Sequence, residues 1–509
     1  MVVEVEKREV QTAPAARQTH SGLPAHVRVA IVGSGFAGLG MAVGLKKRGI
    51  TDFAILERAA AIGGTWRDNT YPGCACDVPS HLYSFSFAPN PDWTRSFSPQ
   101  PEIRAYLERC ADEFDVRPRT YCDQEVVDAS WDEGALLWHI TTKRDSMTAD
   151  ILALGTGVLN EPLIPQIPGL ASFKGKMFHS ARWDHDYDLT GKRVAVIGAG
   201  ASAIQFVPAI QPKVSRLHLF QRTPAWIIPR HDHALTERRR SLFKTLPLAQ
   251  RLWRDATYWG REVFLIGFVY DQRLLQLAGA LAKKHLRDQV TDPVLRDKLT
   301  PRYKIGCKRI LLSDDYYPAV GQDNVELVTD SVREVREGSV VSVDGVERPV
   351  DAVILGTGFH VTDAPAAWYV HGRDGVLLAD AWQGSPRAYK GTTVAGFPNM
   401  FVLTGPNTGV GHTSQVVMIE SQIAYVLACI AALDKRNAGA LVVKPAAQQA
   451  FIAEVDKQMK TTVWTSGCES WYLDATGRNS TLWPGFTFAF RLKARGFEPE
   501  AYDLVGQRH

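Results

Sequence analysis

An apolar run, a glycine-rich turn and a helical pattern follow one another twice in this chain, and few folds accommodate both copies. In the first copy, Val27–Val32 is the short apolar run of a buried parallel strand, and Gly33-Ser34-Gly35-Phe36-Ala37-Gly38 follows it. The helical pattern after the turn closes with Lys46, Lys47, Arg48 and Gly49, a basic last turn and a glycine stop. Phe53–Leu56 is the next apolar run and ends at Glu57. The second copy, Lys192–Thr223, carries Gly198, Gly200 and Ala203 in its turn and finishes on Gln221, Arg222 and Thr223. Each copy has the same ending further on, DILALGTG through Gly157 and DAVILGTG through Gly358. A single turn of this kind is weak evidence. Two in the same context predict an α/β chain with two Rossmann-like dinucleotide-binding domains.

The two copies differ where their ligands would differ. Glycines in the turn let a pyrophosphate approach the backbone, and the helix start stabilises its charge. Glu57 can accept from a ribose hydroxyl, so the first unit suits a dinucleotide with a free ribose. An acid at the matching place would repel a 2′-phosphate; Gln221 removes that repulsion and Arg222 with Thr223 can hold the phosphate. The second unit therefore suits NADPH, and two such units in one chain point to FAD in the first.

The motifs divide the chain. Residues 1–26 read as a flexible tail, 27–157 as the first part of an FAD-binding domain and 158–223 as the first part of an NADPH-binding domain. A helix-forming stretch, 224–301, is inserted and is expected to pack over the NADPH unit; 302–358 completes that unit. Residues 359–509 return to the FAD domain and end in a C-terminal region, in which Trp464, Trp471 and Trp483 suit either a lid or a core edge.

A net charge of +4 over 509 residues gives no basis for nucleic-acid binding, and the run ending at Arg240 reads as a solvated helix face. The longest apolar runs, Val263–Tyr270 and Ala424–Leu433, fall short of the roughly 20 residues that span a bilayer, so no transmembrane segment is expected. Cys74, Cys76, Cys110, Cys122, Cys307, Cys429 and Cys468 make an odd count without disulfide-framework spacing, which fits a reducing cytoplasm. Cys468 is expected to be packed rather than reactive, and no metal-ligating set is expected.

Between the two units lies FKGKMFHSARWD, in which Phe173, Gly175, His179, Trp183 and Asp184 are spaced as F-x-G-x-x-x-H-x-x-x-W-D. A longer stretch, GGTWRDNTYPGCACD, places Gly63, Gly64, Trp66, Tyr71, Pro72, Gly73 and Asp77. Together they resemble the two signatures of type I Baeyer–Villiger monooxygenases, in the class B flavoprotein monooxygenase family, and the resemblance runs from about Arg28 to Arg491.

The resemblance implies bound FAD, NADPH and dioxygen, a ketone substrate, and an ester or lactone product formed through an anionic 4a-peroxyflavin. It also implies that Gly64, Thr65 and Trp66 line the flavin, and that Tyr83 and the backbone at Val126 contact FAD. Gly306-Cys307-Lys308-Arg309 resembles the family's G-T-K-R segment with Cys307 in place of Thr. On that match Lys308 contacts the 2′-phosphate and Arg309 reaches the flavin–nicotinamide junction, oriented by Asp77. Physical chemistry agrees, because an arginine supplies a fixed positive charge without donating a proton that would release hydrogen peroxide. His179 is read as a hinge residue hydrogen-bonded between the two domains, not as a catalytic base. The rival of the same fold is an N- or S-oxygenating flavin monooxygenase, which usually carries Tyr or Phe where Trp183 stands. A disulfide reductase would need Cys-x-x-Cys, and Cys74 and Cys76 are one residue too close. A non-catalytic nucleotide sensor would leave Arg309 and Asp77 without a use. Which ketone reacts and the oligomeric state are not legible.

Overall fold

The computed structural model describes residues 22–507. The expected tail lies largely outside the described residues, and its last member, His26, already opens a strand.

The first of the two main sheets has eight strands. Val370–His371, Val126–Asp132, Leu137–Thr142, Ser146–Leu154, His26–Val32, Phe53–Leu56 and Thr120–Tyr121 lie side by side in that order, with Met400–Val402 joined to Ser146–Leu154. His26–Val32 is parallel to both neighbours, and its Val29, Ala30 and Ile31 are fully buried, as a strand covered on both faces must be. The helix Phe36–Lys47 covers one face and packs against Gln415–Arg436. Their approach depends on Gly40 and Gly44, where a Cβ would meet Ile423 at 2.9 and 2.8 Å. Gln415–Arg436 is long and apolar enough to cross a bilayer, with a mean hydropathy of 2.0, a length the apolar run alone does not reveal. Seventy-two per cent of its apolar stretch is buried inside the protein, however, so it is a core helix.

The second main sheet is entirely parallel: Val325–Val328, Arg216–Phe220, Arg193–Ile197, Ala352–Leu355 and Lys176–His179. The stretch Phe173–Asp184 is thus more than a connection, because it supplies this sheet's edge strand.

One device closes both units. The strand before each glycine turn is paired with the strand before the matching GTG, Val32 with Leu154 and Ile197 with Leu355. Gly155 N–H donates to Val32 O and Gly356 N–H to Ile197 O, each at 2.8 Å. A Cβ on Gly33 (φ +98°) would then meet Gly155 O at 2.7 Å, and one on Gly198 (φ +106°) would meet Gly356 O at 2.3 Å. The GTG recurs because the turn glycine is seated against it.

The insertion forms helices at Glu237–Thr245, Pro247–Leu265, Leu274–Gln289 and Pro293–Lys298. Leu274–Gln289 packs on the second unit, where His285 is bonded to the Ser313 carbonyl at 2.9 Å. Pro247–Leu265 departs from the expected packing and lies across the first unit. Its inward face is polar: Gln250 donates to Asn90 O at 2.7 Å, Arg254 to His81 O at 2.7 Å, and Glu262 accepts from Thr487 N at 3.1 Å.

Candidate active site

Glu57 is 3% exposed and already saturated. Its Oε2 accepts from Ser34 N at 3.0 Å and from the Ser34 hydroxyl at 2.5 Å. Its Oε1 accepts from Ala59 N at 3.0 Å and lies 2.9 Å from Arg67 Nη1. A carboxylate has about four acceptor directions, so all are filled. The Ser34 hydroxyl is the donor that can rotate away, and doing so frees one direction for a ribose hydroxyl. The adjoining helix begins at Gly35 without a side-chain cap, which leaves its first N–H groups for a pyrophosphate. Gly38 is required by packing, since a Cβ there would meet Gly33 O at 1.8 Å. These features fit FAD.

The 63–77 stretch folds onto this turn. A Cβ on Gly64 (φ +54°) would meet Gly35 Cα at 2.9 Å. Thr65 and Trp66 open a short helix, Thr65–Asp68. Trp66 Nε1 donates to Tyr83 OH at 3.1 Å, and the Tyr83 ring stands edge-on to Phe36 at 5.1 Å. Gln124 N–H donates to Glu57 O at 2.9 Å, which places Val126, two residues on, at the same rim of the sheet.

Asp77 ends that stretch and meets Arg309. Arg309 donates to Asp77 Oδ2 from Nε at 2.9 Å and from Nη2 at 2.5 Å. Their side chains are 27% and 30% exposed, so the pair is held by its surroundings yet open to a ligand. Burial alone pushes the Asp77 carboxyl up, but Arg309, with Arg261 behind it, holds it below the usual carboxylate range. Asp77 in turn raises the Arg309 guanidinium above its ordinary value. Tyr472 and Arg261 flank the pair, and sequence reasoning missed both.

The two units are bound together by a different residue from the one the sequence suggests. Gln205, on the helix Ala203–Ile210, accepts from Tyr71 OH at 3.0 Å and from Ala75 N at 3.3 Å, and donates to Ala75 O at 2.9 Å. Gly73 (φ +80°) allows this docking, because a Cβ there would meet Gln205 O at 2.6 Å. Trp183 packs on Phe206 of the same helix at 5.4 Å, and Phe206 reaches Tyr71 at 6.0 Å. Thr70 and His185 share a direct hydrogen bond of 2.8 Å.

His179 stays within the second unit. Its Nδ1 accepts from Ala181 N at 3.1 Å and its ring is edge-on to Phe359 at 5.7 Å. The reading of His179 as a hydrogen bond between the domains is therefore replaced by Gln205 and Trp183. Burial lowers its pKa to about 4, which keeps the imidazole neutral. Gly175 has a packing reason, as a Cβ would meet Asp351 O and the Phe173 ring, each at 2.5 Å. Asp184 pairs with Lys176.

The second turn is roomier. A Cβ on Gly200 or Gly358 would have nothing within 4 Å, and such an open cradle fits a pyrophosphate. Ala203 opens the following helix. Gln221 is turned inward and accepts from Tyr316 OH at 2.9 Å, while Arg222 and Thr223 face solvent. Lys308 is pushed down in pKa by burial and by the Arg222 charge. Among the described residues the one carboxylate paired with Arg222, Glu469, is 3.9 Å away and exposed. Two cations held together so loosely neutralised fit a phosphate.

Cys468 is not merely packed: it is bonded to Cys307, 161 residues earlier. The bond ties the C-terminal region to the residue beside Lys308 and Arg309. In that region Trp464 and Trp483 are buried and Trp471 is exposed, so the segment is anchored at two points in the core. Cys74 and Cys76 are buried and unbonded, and burial pushes the Cys74 thiol to about 12 and the Cys76 thiol higher still. Neither is fit for thiol exchange.

Two dinucleotide turns, a guanidinium fixed by a carboxylate and thiols unfit for exchange are together the features of a two-domain flavin monooxygenase. Comparison with known proteins agrees. A family model described as pyridine nucleotide-disulphide oxidoreductase matches residues 30–236. A Baeyer–Villiger monooxygenase of Streptomyces coelicolor is 53% identical over 488 residues, 96% of this chain and 94% of that one. Another from Pseudomonas aeruginosa is 50% identical over 94% of this chain and 92% of its own. Among solved structures, a closed cyclohexanone monooxygenase is similar with a TM-score of 0.85 and 26% identity, covering 95% of this chain and all of that one. An oxidised steroid monooxygenase bound to NADP gives a TM-score of 0.82 at 30% identity over the same shares. The chain belongs to the Baeyer–Villiger monooxygenase family.

Proposed function

We propose that the protein is an FAD-containing, NADPH- and dioxygen-dependent Baeyer–Villiger monooxygenase that converts ketones to esters or lactones. The observation that carries this reading is the half-sheltered Arg309–Asp77 pair, which joins Arg309 to the end of the 63–77 stretch that folds onto the first glycine turn. Bound FAD, once reduced by NADPH, would supply the activation of dioxygen by which one oxygen atom is inserted between the carbonyl carbon and its neighbour and the other leaves as water. Arg309 contributes a positive charge that no working pH removes, placed where negative charge develops in the reaction. Asp77 fixes the direction of that charge by holding two of its N–H groups. Trp66, Tyr83 and the peptide at Val126 line the FAD site; Arg222, Thr223 and Lys308 hold the 2′-phosphate.

In this reading 27–157 with 359–509 holds FAD, and 158–223 with 302–358 holds NADPH. The protein works in the cytoplasm, where a reducing environment would hold Cys307 and Cys468 as thiols for part of their life. The substrate is an apolar ketone, a reading supported by solved relatives named for cyclohexanone and for steroids.

The test is product analysis of the FAD-loaded protein with NADPH and a panel of linear, cyclic and steroidal ketones, with sulfide and amine controls. Esters or lactones from at least one ketone class are expected. Sulfoxide or N-oxide without any ester would move the protein to the heteroatom oxygenases.

A further inference from the structure

The insertion helix Pro247–Leu265 is amphipathic the wrong way round for a soluble protein. Helices ordinarily turn their apolar stripe to the core and their polar face to water. Here the buried face carries Gln250 and Glu262, bonded to the first unit as described, while Leu248, Leu252, Trp259 and Val263 are 59%, 60%, 54% and 63% exposed. At 100° per residue those four fall within a roughly 60° arc, a continuous outward stripe.

The following helix continues it. Leu274, Leu277 and Leu281 lie on one face of Leu274–Gln289 and are all exposed, Leu277 most of all. Between the helices an aromatic row spans the gap: Trp259 to Phe488 at 5.6 Å, Phe488 to Phe486 at 5.0 Å, and Phe486 to Tyr270 at 5.6 Å. Among the described residues twenty-five large apolar side chains are exposed, and twelve of them lie between Leu242 and Leu281. Scattered single residues need no explanation, but a concentration of this kind marks a surface meant to be covered.

Charge decides what covers it. Within residues 237–290 seven basic side chains are exposed (Arg238, Lys244, Arg251, Arg273, Lys283, Lys284 and Arg287) against four acidic ones (Glu237, Asp255, Asp271 and Asp288), a surface surplus of +3. Arg251, Arg273, Lys283, Lys284 and Arg287 are exposed on these two helices or at their ends, Lys284 paired with Asp288 at 2.5 Å. A second copy of this face would bring two such surpluses together and be repelled. An anionic lipid surface would neutralise them while its acyl region receives the leucines and tryptophan.

We infer that this face docks the protein on anionic phospholipid bilayers, with the two insertion helices lying in the interface plane. The inference goes beyond the reaction assigned above and does not rest on it.

The experiment is flotation of the full-length FAD-loaded protein with vesicles of phosphatidylcholine alone and of phosphatidylcholine mixed with phosphatidylglycerol. Binding is expected to the mixed vesicles and to weaken as salt is raised. In the triple variant Leu252→Ser, Val263→Ser, Leu277→Ser, affinity for the mixed vesicles should fall by about tenfold or more, with flavin absorbance and NADPH oxidation retained. The variant Lys283→Glu, Lys284→Glu, Arg287→Glu should lose binding with the apolar stripe intact. Three results overturn the inference. One is no binding of the wild type to mixed vesicles at low salt. Another is binding that neither variant weakens. The third is a wild-type dimer in sedimentation equilibrium that the triple serine variant dissolves, because a second copy would then be the occupant.

Discussion

The two nucleotide units share one backbone design and differ in how finished it is. In the first, Gly38 leaves no room for a methyl, Glu57 is buried with every acceptor direction filled, and Gly64 is pressed on Gly35. In the second, Ala203 is tolerated, Gly200 and Gly358 face open space, and Arg222 is 73% exposed with one loose partner. A closed, prebonded cradle suits a cofactor that stays, and an open, charged one suits a cofactor that enters and leaves each cycle. Arg309 belongs to the second unit by sequence and is held by Asp77 of the first, so it stands where the two designs meet.

The largest effect is expected at that meeting point. Arg309→Ala should stay yellow, because FAD retention depends on the first turn. Ester formation should fall by about a hundredfold or more, the usual loss on removing one preorganised stabiliser. Electrons that still pass should appear as hydrogen peroxide. Ester and peroxide quantified in the same reaction check this, and wild-type ester yield in the mutant would reduce Arg309 to a structural tie between the units.

The turns were legible from the sequence because their chemistry needs consecutive residues. Gly33 through Gly38, and Gly198 through Ala203, are constrained by one bend and one helix start. Asp77 and Arg309 were legible only through the resemblance, since 232 positions separate them and nothing local pairs them. Gln205 and the Cys307–Cys468 bond depend on packing between distant segments and carry no spacing signal. The insertion helix differs from expectation for an instructive reason: its place in the chain points to the NADPH unit, but Gln250, Arg254 and Glu262 find their partners at Asn90, His81 and Thr487 of the first unit, which no local pattern signals. His179 shows the same limit, because its motif fixes a place in the chain and not a hydrogen-bond partner.

A second prediction tests the asymmetry of the turns directly. Gly38→Ala drives a methyl into Gly33 O and should cost about 1–3 kcal/mol, a typical price of overpacking, with loss of bound FAD. Ala203→Gly makes the reverse exchange in the second unit and should cost under about 1 kcal/mol, with FAD content unchanged. Released flavin per chain and thermal unfolding separate the two outcomes. Equal damage from both would mean the units are equally closed, and the contrast drawn above would fail.

The open cradle should discriminate by charge. Arg222→Ala should raise the KM for NADPH by roughly tenfold and leave that for NADH nearly unchanged, since one exposed charge-assisted contact is lost. Lys308→Ala should act in the same direction. If the NADPH-to-NADH preference survives both substitutions, the 2′-phosphate is bound elsewhere and the second unit is not the one that selects the cofactor.

The smallest effect at neutral pH is one the units share. His81 in the first and His179 in the second are both buried, and burial lowers each pKa to about 4. An unfolded imidazole takes up its proton near pH 6.5, well before the folded one does. Stability from keeping them neutral is therefore complete above about pH 6.5 and is lost as pH falls toward about 4, on the order of 1 kcal/mol per pH unit for each. Denaturant unfolding at stepped pH should show a slope in that window and little change between pH 7 and 8. His179→Asn should remove part of the slope by deleting one of the protons taken up on unfolding. An unaltered slope in that mutant would show that His179 is not among the groups acid must charge to unfold the protein.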